Sequence, residues 1–350
     1  MEANSENEKN TNTLNIIGSK TDYNEIIKSI CQGYKESPEN LLELIKFKSQ
    51  FYKYSFNNTI LIYEQNPNAS FVQSFTKWKE MNQKVDGKDI SVKRGEHGIR
   101  IFVPVIQRCI KIDDERTVSV SEAKKQFPKA YDEYSAGRCQ AQDMLVGFRI
   151  GSVFDISQTT FPKELYPSVL HVGFSDQYNR ECVEGLVEYC LNHSIDVQFS
   201  NEHSITLRGW NMPENREIHV NYILEDTERL STLTHELGHQ LMHAGTEKSK
   251  ALVEFEADVF SIMVSNHLGI VETDTRKAHL VNEFNGIVAD MPDEDWEDSK
   301  AYDKLLEAPF MAYKENIEEI DTYIKQHIQN EIDQDIRVDR QRESDYGMEL

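Results

Sequence analysis

Residues 230–245 read LSTLTHELGHQLMHAG, and this stretch decides the character of the second half of the chain. On a helix of about 100° per residue, Leu230, Leu233, Leu237 and Leu241 form one stripe, and His235 and His239 fall nearly opposite it. One face can anchor in a core while the other looks into a cleft. The two histidines are four residues apart, so both imidazoles can reach one ion, with Glu236 beside its water. Gly245 supplies a natural stop.

A catalytic zinc ion usually has three protein ligands and one open position. The next helical stretch, residues 249–267, offers Glu254 and Asp258 among Ala251, Leu252, Val253, Phe255, Ala257, Val259 and Phe260. Two carboxylates in so apolar a helix are costly unless paired or bound to metal. Glu254 as ligand and Asp258 as acceptor from a histidine N–H satisfy both; acids lining a solvated face are the alternative. Asp258 is expected to be dispensable for folding. His243 lies four residues beyond His239, but Gln240 leaves that pair without an adjacent carboxylate, so it reads as a surface histidine. Glu256 falls on the far side of the helix from Glu254, and Glu247 in the intervening loop is a weaker alternative ligand.

Working outward, the chain has 350 residues, enough for two domains of about 100–200 residues. Hydrophobic residues make up 39%, which excludes a fully disordered chain. No apolar run approaches the roughly 18 residues of a membrane span, and the polar, acidic start lacks a secretory signal. Five cysteines without a CxxC pair fit a reducing compartment. The expectation is a cytoplasmic protein with no membrane partner. Net charge is −22, unevenly spread. Residues 41–150 hold 18 basic against 13 acidic residues, whereas residues 151–350 hold 16 against 40. Only the basic third is a plausible phosphate-contact surface.

Four segments are expected: a flexible acidic arm (1–37), a nucleic-acid-binding domain (38–160), a peptidase domain (161–290) and an acidic helical extension (291–350). Helices are read over residues 38–47 and 57–65, and strands over 99–106 and 145–154, with Pro104 favouring an edge or a bulge. Residues 111–143 are charged and read as an inserted loop or helix. In the second half a helix over 179–192 precedes strands at 196–199, 204–208 and 217–222, helices near 228–244 and 249–267, and a charged helix over 313–330. The fold class is α+β: an N-terminal α+β nucleic-acid-binding domain, then a zincin-like domain with a small antiparallel sheet and an HExxH helix.

THELGHQLMH followed by EFEADVFS resembles the metallopeptidase domain of the ImmA/IrrE family, whose later E-x-x-A-[ND]-x-F-[AS] helix falls here on Glu254, Ala257, Asp258, Phe260 and Ser261. The resemblance covers residues 165–270. It implies His235, His239 and Glu254 as Zn²⁺ ligands and Glu236 as base, and Asp258 also matches the E-x-x-x-D arrangement of thermolysin-like enzymes.

In the basic third, aromatics interleave with cations: Phe51, Tyr52, Lys53, Tyr54, Phe56, Asn57 and Asn58, then Phe75, Lys77, Trp78 and Lys79, then Lys93, Arg94 and Arg100. Bases can stack on exposed rings while cations follow the phosphates; aromatics at such spacings are more often core. The segment from YSFNNTILIYEQ to FRIGSVFDISQT resembles the N-terminal domain of ArdC-type antirestriction proteins over residues 38–160. That resemblance implies single-stranded-DNA binding ahead of a zincin domain. Candidate DNA contacts are Lys53, Tyr54, Asn58, Lys77, Trp78, Lys79, Lys93, Arg94 and Arg100.

The expectation is a zinc metalloendopeptidase of an antirestriction or mobile-element protein, with single-stranded DNA and a protein or peptide substrate as partners. The alternative is a non-proteolytic DNA-protection factor with a secondary or structural zinc site. The oxyanion needs a further donor, for which His219 and Tyr222 are candidates, and the 217–222 strand could align an extended substrate by edge pairing.

Overall fold

A computed structural model describes residues 22–80, 90–113, 116–163, 176–200, 207–270, 274–290 and 299–346. The chain divides into two compact units: Glu64–Phe161 with the segment up to Ile27, and Lys28–Tyr63 with Pro162–Leu350. The sheet of the first unit is thus inserted, in chain order, into the second. Packing does not divide the chain at residue 38.

In the first unit, β1 (Val72–Ser74), followed by the short helix α4 (Phe75–Glu80), joins β2 (Ile99–Lys111), β3 (Thr117–Ser119) and β4 (Gln142–Asp155) in an antiparallel sheet of order β1-β4-β2-β3. Pro104 sits where β2 has β4 on one side only, because β3 pairs no further than Cys109, and a register shift follows at Val105/Ile106. A residue without a backbone N–H is tolerated at such a place. Segment 111–143 extends the β2–β4 hairpin rather than interrupting it. Its helices α5 (Val120–Gln126) and α6 (Pro128–Ser135) close a small core of Ile110, Val118 and Ala123, with Phe127, Tyr131 and Tyr134 packed against it. At the other end of β4, buried Asp155 accepts the backbone N–H groups of Ser70, Phe71 and Ser157.

The second unit is mainly helical. α2 (Pro38–Gln50) and α3 (Phe56–Gln65) precede the insertion, with the end of α3 reaching the first unit. After it come α7 (Asp176–Asn192), β5 (Asp196–Ser200), β6 (Gly209–Met212), β7 (Glu217–Asn221), α8 (Asp226–Met242), α9 (Lys250–His267), α10 (Asp274–Asp290) and α11 (Ser299–Tyr346). The three strands are ordered β5-β7-β6; β7 runs parallel to β5 and antiparallel to β6. Of the strand expected at 204–208, residues 204–206 lie outside the described residues, and pairing starts at Gly209.

Of the flexible acidic arm expected over 1–37, residues 1–21 lie outside the described residues. The arm is helical over α1 (Tyr23–Glu36), where Ile27, Cys31 and Tyr34 repeat at helical spacing and are buried. The acidic extension contains α11, which buries Tyr302, Leu306, Tyr313, Ile317, Ile320 and Ile324. Its charge occupies the outer face of a core helix. α2 is fastened to α9 by Asn266, whose Nδ2 donates to the Lys46 carbonyl at 3.1 Å and to Ser49 Oγ at 2.7 Å. All five cysteines are free thiols. No helix among the described residues is long and apolar enough to cross a membrane.

Candidate metal centre

Helix α8 is placed by its sequence. Asp226 and Glu228 in its first turn suit the positive helix end, and residues 230–240 are buried. Gly238 lets α9 approach: a Cβ there would stand 3.2 Å from Ala257 Cα and 3.3 Å from Phe260 Cδ1. Thr234 and Ser261 hydroxyls meet at 2.8 Å across the same contact. On the other flank, Gln240 Nε2 donates to the Glu217 carbonyl of β7 at 2.9 Å.

This packing brings together His235, His239 and Glu254, whose ligand atoms lie within 4.8 Å of one another. The two Nε2 atoms are 3.1 Å apart, and Glu254 Oε2 is 3.4 Å from His235 Nε2 and 3.9 Å from His239 Nε2. His235 Nδ1 is 2.8 Å from Asp258 Oδ1 and 2.8 Å from Arg276 Nη1; in the neutral ring that donates to the carboxylate, Nε2 carries the lone pair. His239 Nδ1 is 2.8 Å from His243 Nδ1.

The surroundings favour one positive charge at this point. Burial works against a charged His235, yet its bonds to Asp258 and Glu254 raise it to about 9. Burial and the neighbouring His235 hold His239 down to about 3. Bonding to His235 lowers Glu254. Two imidazole nitrogens and a carboxylate converging on a site that favours positive charge fit a divalent cation such as Zn²⁺.

Glu236 sits beside them, 7% exposed, and Asn211 Nδ2 of β6 donates to its Oε2 at 2.7 Å. Burial raises its pKa, against His235 and the Asn211 bond. The site opens into a cleft of about 600 Å³ whose walls include Trp210 and Asn211 of β6, Thr232 of α8, and Arg276 and His279 of α10. Asp258, 0% exposed, is shared by three donors: His235, Arg276 Nη1 at 2.5 Å, and His279 Nδ1 at 2.6 Å. Arg276 Nη2 also reaches the Ser231 carbonyl at 3.0 Å. The bond to Asp258 raises His279, against burial.

Gly209 lets β6 pass close to α8. A Cβ there would stand 2.6 Å from Thr232 Cγ2 and 2.8 Å from the His219 carbonyl, with backbone on one side. Gly209→Ala should therefore displace β6, and with it Asn211, at a cost of roughly 1–3 kcal/mol, the range for overpacking. Thermal melting checks the loss, and an unchanged Tm would show that the strand shifts freely.

Several expected residues fall elsewhere. Tyr222, 49% exposed, follows β7 and lines a different cavity with Arg180 and Arg229. His219 stacks on Trp210, ring centroids 3.7 Å apart, and backs the cleft wall instead of lining it. The strand 217–221 is central in its sheet, so its edges are taken; among the described residues β5 and β6 are the outer strands. His243 is buried, not superficial, and so is Glu256. Sequence reading missed Arg276, His279, Asn211 and Trp210, which lie on separate elements and carry no motif spacing.

The DNA candidates fall in both units. Lys53, Tyr54 and Asn58 lie in the helical unit, where Lys53 pairs with Glu318 at 2.9 Å. Lys77, Lys79, Lys93, Arg94 and Arg100 lie in the sheet unit and are exposed. Trp78 cannot offer a face for stacking: it is 0% exposed, its indole N–H donates to the Phe154 carbonyl at 2.9 Å, and Phe71 packs edge-on against it. Interleaved aromatics do not reveal which ring points inward. Phe75 is 45% exposed, with Lys79 Nζ 4.9 Å from its ring centroid.

Comparison with known proteins gives a match for each half. Residues 20–154 match the family described as the N-terminal domain of anti-restriction factor ArdC. Residues 190–280 match the peptidase family described as the IrrE N-terminal-like domain. An uncharacterized Bacillus anthracis protein, pXO2-81, is 26% identical over 265 residues, 70% of this chain; the match spans 42% of that protein's own length. Two crystal structures of the antirestriction ArdC protein from R388 plasmid align with this chain. The metal-free form has a TM-score of 0.43 at 14% identity, covering 79% of this chain and 86% of that one. The Mn(II)-bound form has a TM-score of 0.42 at 15% identity, covering 78% and 84%.

Proposed function

We propose that this chain is a zinc-dependent metallopeptidase joined to a single-stranded-DNA-binding domain, and that it serves as an antirestriction factor of a mobile element. One observation carries the reading: His235, His239 and Glu254 converge beside a buried Glu236 at the floor of a cleft, within the residues that match a peptidase family. Three protein donors leave a coordination position open, which suits a catalytic site better than a closed structural one.

When bound, Zn²⁺ would supply Lewis acidity to the scissile carbonyl and acidify a water. Glu236, steadied by Asn211, takes the water's proton and passes it to the leaving amide nitrogen. Asp258 fixes the His235 ring. His279, on the α10 wall with Nδ1 bonded to Asp258, can donate from Nε2 to a developing oxyanion in its protonated form, which the bond to Asp258 favours, in the role for which His219 and Tyr222 were candidates. The outer edge of β6 can align an extended peptide by main-chain pairing. In the sheet unit, Phe75 with Lys77, Lys79, Lys93, Arg94 and Arg100 offers the ring and cations for a single strand.

Metal analysis of the purified protein should find one equivalent of zinc, absent from His235→Ala, His239→Ala and Glu254→Ala. Full zinc in Glu254→Ala would remove Glu254 from the ligand set. Manganese in place of zinc would keep the site and change its ion. The full-length protein should also bind single-stranded DNA with an affinity that falls with salt, and Phe75→Ala should weaken binding by about 1–3 kcal/mol, the worth of one stacked base. Equal affinity for duplex would exclude stacking as the basis of recognition.

A further inference from the structure

Behind His239 lies a buried chain of polar groups that the reaction above does not use. His243 caps the end of α8, and Glu256 comes from the first half of α9. His243 Nδ1 is 2.8 Å from His239 Nδ1, and its Nε2 is 2.9 Å from Glu256 Oε2. Both side chains are 3% exposed. Lys248, in the turn between the helices, places Nζ 2.8 Å from each Glu256 oxygen.

We infer that His243 and Glu256, anchored by Lys248, are positioning residues that fix the tautomer of His239 and thereby present its Nε2 lone pair to the metal. The direction of every bond follows from the outer end. Glu256, held by an ammonium at both oxygens, is a carboxylate and accepts only. His243 must then donate from Nε2, which leaves Nδ1 as an acceptor in the neutral ring. His239 Nδ1 can meet that acceptor only as a donor, so its own Nε2 is free of a proton. At His235 the Asp258 carboxylate stands 2.8 Å from Nδ1, so each imidazole ligand has a carboxylate-based support, one direct and one relayed through a second ring. Ligands whose far nitrogen is held this way are oriented and made more basic, and loss of the partner typically weakens metal binding by about 10–100-fold.

The inference rests on the metal-site reading, and one titration separates them. Zinc affinity is measured by competition against a chelator for the full-length wild-type protein and for Glu256→Gln, His243→Leu and His243→Gln. Glu256→Gln keeps the shape but can donate to His243 Nε2, which reverses the chain and holds the wrong tautomer of His239. It should bind zinc about 10–100-fold more weakly, as should His243→Leu. His243→Gln retains an acceptor for His239 and should stay closer to wild type than His243→Leu. Nitrogen-15 spectra of the histidine-labelled full-length protein, stripped of metal, should show His239 carrying its proton on Nδ1, a signature that mere packing would not set. Wild-type affinity in both Glu256→Gln and His243→Leu, or a proton on His239 Nε2, overturns the inference and leaves the metal site standing. A wild-type protein that takes up no zinc overturns both. Should Glu256→Gln fail to fold, the two His243 variants and the spectrum decide.

Discussion

Asp258→Ala should destabilise the helical unit by about 3–5 kcal/mol, the usual consequence of removing one partner from a buried ion pair. The sequence predicts a carboxylate that supports a metal ligand and that folding can spare. The structure makes it the shared acceptor of His235, Arg276 and His279, with no exposure of its own. Removing it takes from the Arg276 guanidinium, in a side chain only 13% exposed, the carboxylate that it meets at 2.5 Å, and leaves its bonds to the Ser231 carbonyl and hydroxyl. Arg276 also ties α10 to α8, so the loss reaches beyond the metal site. Urea unfolding of the wild type and variant measures the difference. A change below about 1 kcal/mol, within the range of an exposed pair, would mean that Arg276 turns out to solvent. Asp258→Asn should fall between the two, since the amide oxygen still accepts but the charge is gone.

Glu236→Gln should lower the rate on any peptide that the wild type cleaves by about 10²–10⁴-fold, the usual contribution of a positioned base, while zinc content is unchanged. Its side chain touches Asn211 and borders the cleft, but it is not one of the three converging donors. The carboxamide can still accept from Asn211, so the cleft should keep its shape. Single-turnover cleavage alongside metal analysis checks both halves of the statement. Unchanged cleavage would take Glu236 out of the proton path; loss of zinc would make it a ligand.

Features encoded at short range were legible in the sequence. The leucine stripe and the His-to-His spacing lie within three turns of one helix, and the two helices follow each other across a short loop. Arg276 and His279 were invisible because polar residues on a later helix look like its wet face until α10 is seen to pack against α9. His243 was misread for a related reason: Gln240 leaves it without a carboxylate next to its pair in sequence, whereas its partner Glu256 arrives from the next helix. Trp78 shows the converse limit, since composition cannot tell a ring that stacks on a base from one that donates to a backbone carbonyl inside a core.

The insertion of one unit into the other has a bearing on how the protein is made. Ser49 and Asn266, whose bond fastens α2 to α9, are 217 residues apart. At about 5–20 residues per second, the ribosome needs roughly 10–40 s to reach the second partner after the first has been made. All four strands of the sheet unit lie between residues 72 and 155, so that unit can close during this interval. Leu41, Leu44, Ile45 and Phe47, buried in the finished protein, must wait without the α9 surface. The nascent chain therefore carries an unburied apolar helix ahead of a folded domain for much of its synthesis, which makes elongation rate and chaperone access determinants of its yield.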